Sequence, residues 1–387
     1  MKKKILFIIS NMQSGGVSKS MASLMNIIDR ERYDVSLMLI SPTGPFMELL
    51  PKDLRIITNP VWTYVNSGFN GTLSLFKTGH PLLAVGTLVR FALSKFSKAY
   101  AGELIARMMP PLDEEFDTVV DFNGQQQCYY MVNKLKAKKK ISFFHSDYSK
   151  WPYYYRADKK YYPQIDYIFS ISQECVEALK RFFPAELSKI RLMENISSVR
   201  LIGQMSAQPV EDFDIIRPAF ITIGHVILLK GFDLAVEAAK LLKNRGIKFH
   251  WYFLGAVPDE SFAKSLISKA GVEDCVTLLG VRVNPYPYIK NSDIVVHPSR
   301  FEGKSIALDE AKLLCKPVVV TNFSTVHDQF SDRHNASISD MKPESIADAI
   351  EELLTDSSLR SKYIETLRLN RKDNSDEIEK LYEIFDR

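Results

Sequence analysis

Cysteine is scarce and scattered. Cys128, Cys175, Cys275 and Cys315 show no C-x-x-C spacing, which argues against a disulfide framework and against a cysteine-built zinc site. They read as buried thiols in a reducing compartment. Long apolar runs are missing too: none approaches the roughly 18 residues that a membrane-spanning helix needs. Met1-Lys-Lys-Lys followed by Ile5-Leu-Phe-Ile-Ile9 resembles the start of a secretory signal, but the run is short and ends in Ser10-Asn11 without a small-residue cleavage site. It is read as a first buried strand, and the chain as cytoplasmic. A net charge of +4 over 387 residues is too small to call for nucleic acid. There is no G-x-G-x-x-G, which argues against a dinucleotide, and no internal repeat or low-complexity segment. One absence is local: from Leu54 through Gly102 there is neither Asp nor Glu.

What is present is an α/β pattern. Short β-branched runs alternate with helical stretches, as in parallel sheets. The strand candidates are Ile5–Ile9, Asp34–Ile40, Thr118–Asp121, Lys140–Phe144 and Tyr167–Ser170 in the first half. In the second half they are Ala219–Ile223, Phe249–Leu254, Val276–Leu279, Ile294–His297 and Pro317–Thr321. The stretch 205–218 is polar, contains prolines and lacks periodicity, so a linker is expected there. The division is therefore 1–204, a linker over 205–218, 219–370, and a terminal segment 371–387, for whose helix the family resemblance described below implies packing back on the first domain. The fold class is α/β, two doubly wound Rossmann-like domains facing across a cleft. Ligands of such sheets sit beyond the carboxyl ends of the strands.

The segment His297-Pro-Ser-Arg-Phe-Glu-Gly-Lys-Ser-Ile-Ala-Leu-Asp-Glu310 carries the most chemistry. An apolar strand ends in a polar loop bearing Glu302. Gly303 follows, a helix opens, and Glu310 lies two turns in. The helix N-terminus offers N–H groups to an anion, and Gly303 lets a ligand approach the backbone. Two carboxylates can grip hydroxyls. A phosphorylated, hydroxyl-rich ligand fits, and a nucleotide sugar is one. Glu302 is expected in a partly open cleft.

Glu302 and Glu310, with Lys316-Pro-Val-Val-Val-Thr321 after them, resemble the E-x7-E signature of retaining glycosyltransferases of the GT-B fold, family four. Gly224-His225-Val-Ile-Leu-Leu229-Lys230-Gly231-Phe-Asp is similar to that family's Gly-Arg, spacer, Glu-Lys-Gly-Phe-Asp pattern, with His225 and Leu229 in place of arginine and glutamate. The resemblance implies that Lys230 contacts the donor diphosphate, where a point positive charge stabilises the leaving group. With His225, one fixed cation of the phosphate clamp is missing or becomes pH-dependent. Ser14-Gly15-Gly16-Val17, after the first strand, resembles the family's Gly-Gly loop beneath the donor phosphates. His145, ending Ile141-Ser-Phe-Phe-His145, stands where the family has an active-centre histidine, and Asn195 resembles a structural asparagine.

The resemblance implies a retaining hexosyltransferase of bacterial surface polysaccharide (capsule or exopolysaccharide) assembly. Glu302, Lys230 and His145 would be catalytic; Gly15, Gly16, His225, Gly303, Lys304, Ser305 and Glu310 would bind substrate. The donor is expected to be a UDP-sugar, used as substrate, with no cofactor; the acceptor is a glycan or lipid-linked saccharide. Asp212-Phe213-Asp214 has the D-x-D form by which other transferases hold a divalent cation, but it reads as acidic linker, so the mechanism is expected to be metal-independent. The alternatives are a sugar-nucleotide epimerase and a catalytically silent partner of a transferase complex. Residues 81–100 read as an apolar helix with a basic edge (Arg90, Lys95, Lys98), suited to an anionic membrane surface on the inner face of the cell membrane.

Overall fold

Runs of β-branched and aromatic residues that are apolar on both faces can only be strands with cover on both sides, and this chain places two of them centrally. The computed structural model describes residues 2–387 apart from 14, 198, 211–214 and 373. It contains two parallel sheets. The strands of the first are β1 (Lys3–Ile9), β2 (Tyr33–Leu39), β3 (Arg55–Ile57), β4 (Glu115–Asp121), β5 (Lys136–Phe144), β6 (Tyr167–Ser170) and β7 (Ile190–Leu192). Those of the second are β8 (Ala219–Ile223), β9 (His250–Leu254), β10 (Val276–Gly280), β11 (Ile294–His297), β12 (Val318–Thr321) and β13 (Ser337–Ser339).

The first sheet runs β3-β2-β1-β4-β5-β6-β7 and the second β10-β9-β8-β11-β12-β13. In β1, Ile5 to Ile9 are at most 1% exposed, as expected for a strand sandwiched between helical layers. Each order reverses beside its first strand, between β1 and β4 and between β8 and β11. These reversals leave a crevice beyond the strand ends, because the flanking connections leave in opposite directions.

All ten expected strands are present. The sequence reading missed β3, β7 and β13, each three residues long and each at a sheet edge. Three residues are too few to display a period, and an edge strand needs little apolar cover.

The described residues divide into two units, one of residues 1–13, 17–196 and 376–387, the other of 14–16 and 197–375. The division at 196/197 precedes the stretch read as a linker. Part of that stretch continues the helix Val199–Ser206, which groups with the second unit, and Asp212 and Asp214 lie outside the described residues. Within the first unit the last helix, Glu379–Asp386, packs against β1 and β2. Tyr382 stacks on Tyr33 with centroids 5.3 Å apart, and Phe385 meets Phe7 edge-on at 6.4 Å. Lys3 and Lys139 donate at 2.7 Å to the carbonyls of Phe385 and Ile384, cations at the negative end of a helix dipole.

The acid-free stretch is helical. Pro60–Asn66, Phe69–Lys77, Pro81–Phe96 and Lys98–Met108 follow one another. The stretch 81–100 is thus two helices, broken where the Ser97 hydroxyl caps the second by accepting from the Tyr100 amide. Thr72 and Thr87, both buried, share a 2.7 Å hydroxyl contact that fixes the second of these helices on the third. Among the described residues no helix is long and apolar enough to cross a membrane.

Candidate active site

In the second unit the crevice beside β8 is built by two loops. One leaves β8 through Gly224 and His225 and turns at Leu228–Lys230 into the helix Phe232–Asn244; the other leaves β11 through Pro298 to Ser305 and opens the helix Ile306–Leu313. Gly231 lets them meet. Its φ is +70°, and a Cβ there would lie 1.8 Å from the Pro298 carbonyl oxygen, so a side chain has neither the backbone conformation nor the room. Arg300 ties the loops together. Its amide donates to the Leu229 carbonyl at 2.9 Å, and its guanidinium grips both oxygens of Asp233 at 2.7 Å, a bidentate pair of the strong kind.

That suture brings Lys230 onto Glu302. Lys230 Nζ donates to both carboxylate oxygens at 2.7 Å, and His297, the last residue of β11, shares a 2.8 Å bond through Nε2 with Oε1. Glu302 is 9% exposed and His297 4%. Burial pushes the Glu302 carboxyl up, but the His297 hydrogen bond and the Lys230 charge outweigh it and hold the group at about 2. Glu302 is therefore ionised at neutral pH, and His297 must carry its proton on Nε2 to donate. The lysine uses two of its three donors on Glu302, which leaves one for a ligand.

The structure corrects the expectation of a partly open Glu302. Residues 302–306 are all buried because side chains from beyond β12 close over them. Thr325 donates to the Glu302 carbonyl at 3.0 Å, and Gln329 both accepts from the Ser305 amide at 3.0 Å and donates to its carbonyl at 2.8 Å. The Ser305 amide is thereby already satisfied. Lys304 Nζ stands 3.9 Å from Asp309, with its side chain 5% exposed. Glu310, 2% exposed, accepts from the Tyr286 hydroxyl at 2.9 Å. Burial and this carboxylate raise Tyr286 well above the usual phenol range.

Lys230, Glu302, Gly303, Lys304, Ser305 and Glu310 thus lie on two adjoining loops and one helix, and half-buried His225 shares the loop of Lys230. Gly15 and Gly16 follow β1, with Gly16 opening the helix Gly16–Ile27. His145 follows β5 in the first unit, its ring 4.6 Å from Phe122 and 5.6 Å from Phe143, with both nitrogens buried. Burial lowers it to about 4, only partly offset by Asn195 and the Phe122 backbone, so it is a neutral imidazole at physiological pH. Sequence reading passed over His297, Arg300 and Gln329 as site residues. For His297 the signal was available: a polar residue ending an otherwise apolar strand. For Gln329 there was none. Among the described residues no cluster of His, Cys, Asp and Glu has metal-binding geometry.

Two parallel-sheet Rossmann-like units with such a crevice define the GT-B architecture, and the whole chain superimposes on a solved example. Anabaena HepE, in complex with UDP-glucose, matches with a TM-score of 0.70 over 99% of both chains at 14% identity. Residues 210–369 match the family model described as glycosyl transferases group 1. The N-acetylgalactosamine-N,N'-diacetylbacillosaminyl-diphospho-undecaprenol 4-alpha-N-acetylgalactosaminyltransferase of Campylobacter jejuni is 28% identical over 204 residues, 52% of this chain and 54% of that protein. The amylovoran biosynthesis glycosyltransferase AmsK of Erwinia amylovora is 30% identical over 142 residues, 35% of this chain and 34% of that one. The chain thus spans 34% to 54% of these two relatives.

Proposed function

We propose that this chain is a retaining glycosyltransferase that moves a hexose-type sugar from a UDP-sugar to a glycan or lipid-linked acceptor in bacterial surface polysaccharide assembly, without a metal ion. The observation that carries the proposal is the Lys230–Glu302–His297 cluster, its carboxylate and imidazole buried, at the strand-order reversal of the second sheet. In this reading Lys230 directs its remaining donor at the leaving diphosphate, so that negative charge developing on it meets a fixed cation. His297 and Lys230 keep Glu302 ionised and oriented to accept from sugar hydroxyls, while Glu310 serves the ribose. The first unit, with His145, takes the acceptor. The lipid-linked and polysaccharide character of the acceptor rests on the two relatives named above, and the donor nucleotide on HepE.

A peripheral membrane position accompanies this reading. On the helices 69–77 and 81–96, Phe69, Phe76, Leu82, Val89 and Phe96 are exposed, Leu82 and Phe96 by 87% and 88%. Exposed Lys77 and Lys95 flank them with no acid between residues 54 and 102, which complements an anionic bilayer. Arg90, expected on the basic edge, instead turns inward.

The test is incubation of the pure protein with radiolabelled UDP-sugars, with EDTA and with or without lipid extract. Transfer or slow UDP release that survives EDTA, and that Lys230→Ala lowers more than it weakens binding of the uncharged nucleoside, supports the proposal. A new sugar epimer assigns an epimerase, and tight binding without turnover a silent partner. Activity lost with EDTA and restored by a divalent ion overturns the metal-free mechanism.

A further inference from the structure

The first unit has its own crevice at the reversal between β1 and β4, and a cavity of about 450 Å³ opens there. Its walls come from the helices 81–96 and 98–108 and from the loop after β4. Ser10, at the end of β1, donates its amide to Asn123 at 2.7 Å and accepts from Gln127 at 2.6 Å, so the floor is a fixed polar network. Arg90 and Lys98 line the cavity together with Ser94, Asn123, Gln125 and Tyr154.

Two features of this cavity lack a structural explanation. The first is the charge. Neither Arg90 nor Lys98 pairs with a carboxylate among the described residues. Arg90 has only the Ser67 carbonyl at 3.3 Å and the Phe91 ring at 4.2 Å, Lys98 only the Tyr153 ring at 4.7 Å. The Arg90 Nε is buried with no hydrogen-bond partner. Desolvation without a counter-charge disfavours a guanidinium, and the sequence supplies no acid from 54 to 102 to relieve it. The second is the backbone. Gln125 has φ 55° and ψ −121°, a conformation disfavoured for a non-glycine residue and one that gathers at ligand-binding positions. It aims the chain's turn at this cavity, just ahead of the helix Gln126–Lys134.

We infer that this cavity is a binding site for the oxyanion of a small saccharide, a phosphate or carboxylate held by Arg90 and Lys98, with Ser94, Asn123 and Gln125 meeting its hydroxyls. The volume is that of a small-molecule site, and the wall chemistry is cationic and amide rather than apolar. Naming this ligand the acceptor rests on the proposed function; the site itself does not.

The experiment is isothermal titration of the full chain, saturated with UDP so that the second unit's site is occupied, using a hexose 1-phosphate, a hexuronate, inorganic phosphate and the neutral hexose. At least one charged sugar should bind and the neutral hexose should not. Arg90→Gln and Lys98→Gln should each weaken binding about ten-fold or more, the loss of one charge-assisted hydrogen bond. Ser94→Trp, at an exposed position that fills the cavity, should abolish it with unfolding unchanged. Preference between phosphate and carboxylate identifies the group. No binding by any anion, or equal affinity in wild type and both Gln variants, overturns the inference. UDP affinity and UDP-sugar turnover, measured on the same samples, report separately on the proposed function.

Discussion

Replacing Glu302 by Gln should destabilise the second unit by about 3 kcal/mol at pH 7. The substitution keeps the shape and one acceptor but removes the charge that compensates Lys230 and receives His297. Two routes give the magnitude. The fall of the carboxyl from 4.5 to about 2 is worth about 3 kcal/mol of preference for the ionised form in the fold. Removing one partner of a buried ion pair costs about 3–5 kcal/mol, and the Lys230 side chain, 27% exposed, has enough water to stay at the low end. The sign follows from the depression. The stabilisation is complete above the unfolded value near 4.5 and is lost as pH falls toward 2, so by pH 3 the difference between the two proteins should shrink to about 1 kcal/mol. Urea unfolding followed by tryptophan fluorescence measures it. Trp251 is the sole tryptophan of the second unit, the others being Trp62 and Trp151. Adding Lys230→Met to the Gln variant should recover stability, because the stranded ammonium goes with it. A difference below about 0.5 kcal/mol at pH 7, the range of ordinary surface substitutions, or one equal at pH 7 and pH 3, would refute this electrostatic account.

Gly231→Ala should cost about 2–4 kcal/mol, because the added methyl meets the Pro298 carbonyl and the positive φ is disfavoured; urea unfolding should show it, together with lost UDP binding as the two loops part. His225→Arg should tighten UDP binding by about 1 kcal/mol, roughly five-fold, by adding a fixed cation to the loop proposed to hold the phosphates; titration calorimetry showing no gain would place position 225 away from the phosphates. Liposome flotation should recover the protein only with anionic lipid, less at high salt, and less again for Lys77→Glu with Lys95→Glu. Equal recovery of wild type and double variant at low salt would end the membrane assignment.

The sequence alone determined the parallel α/β architecture and the principal strands, because a strand buried on both faces must be written in apolar residues that are legible without a partner. It also marked Glu302 and Lys230 one at a time, Glu302 by its place after a strand and before a helix and Lys230 by its resemblance to a family motif. Tertiary structure decided the rest. The two residues are 72 positions apart, and no local pattern states that one donates to both oxygens of the other; that required β8 and β11 to pair and Arg300 to suture their loops. Burial of Glu302 was equally invisible, since Thr325 and Gln329 cover it from a segment with no chemical signal of its own. Arg90 shows the same limit in reverse. Helical periodicity put it on a basic edge, and only the packing of the helices 81–96 and 98–108 with the loop after β4 turned it toward a cavity. Local sequence specifies which residues form an element and which face is apolar. The environment of a charge is set by what arrives from far along the chain.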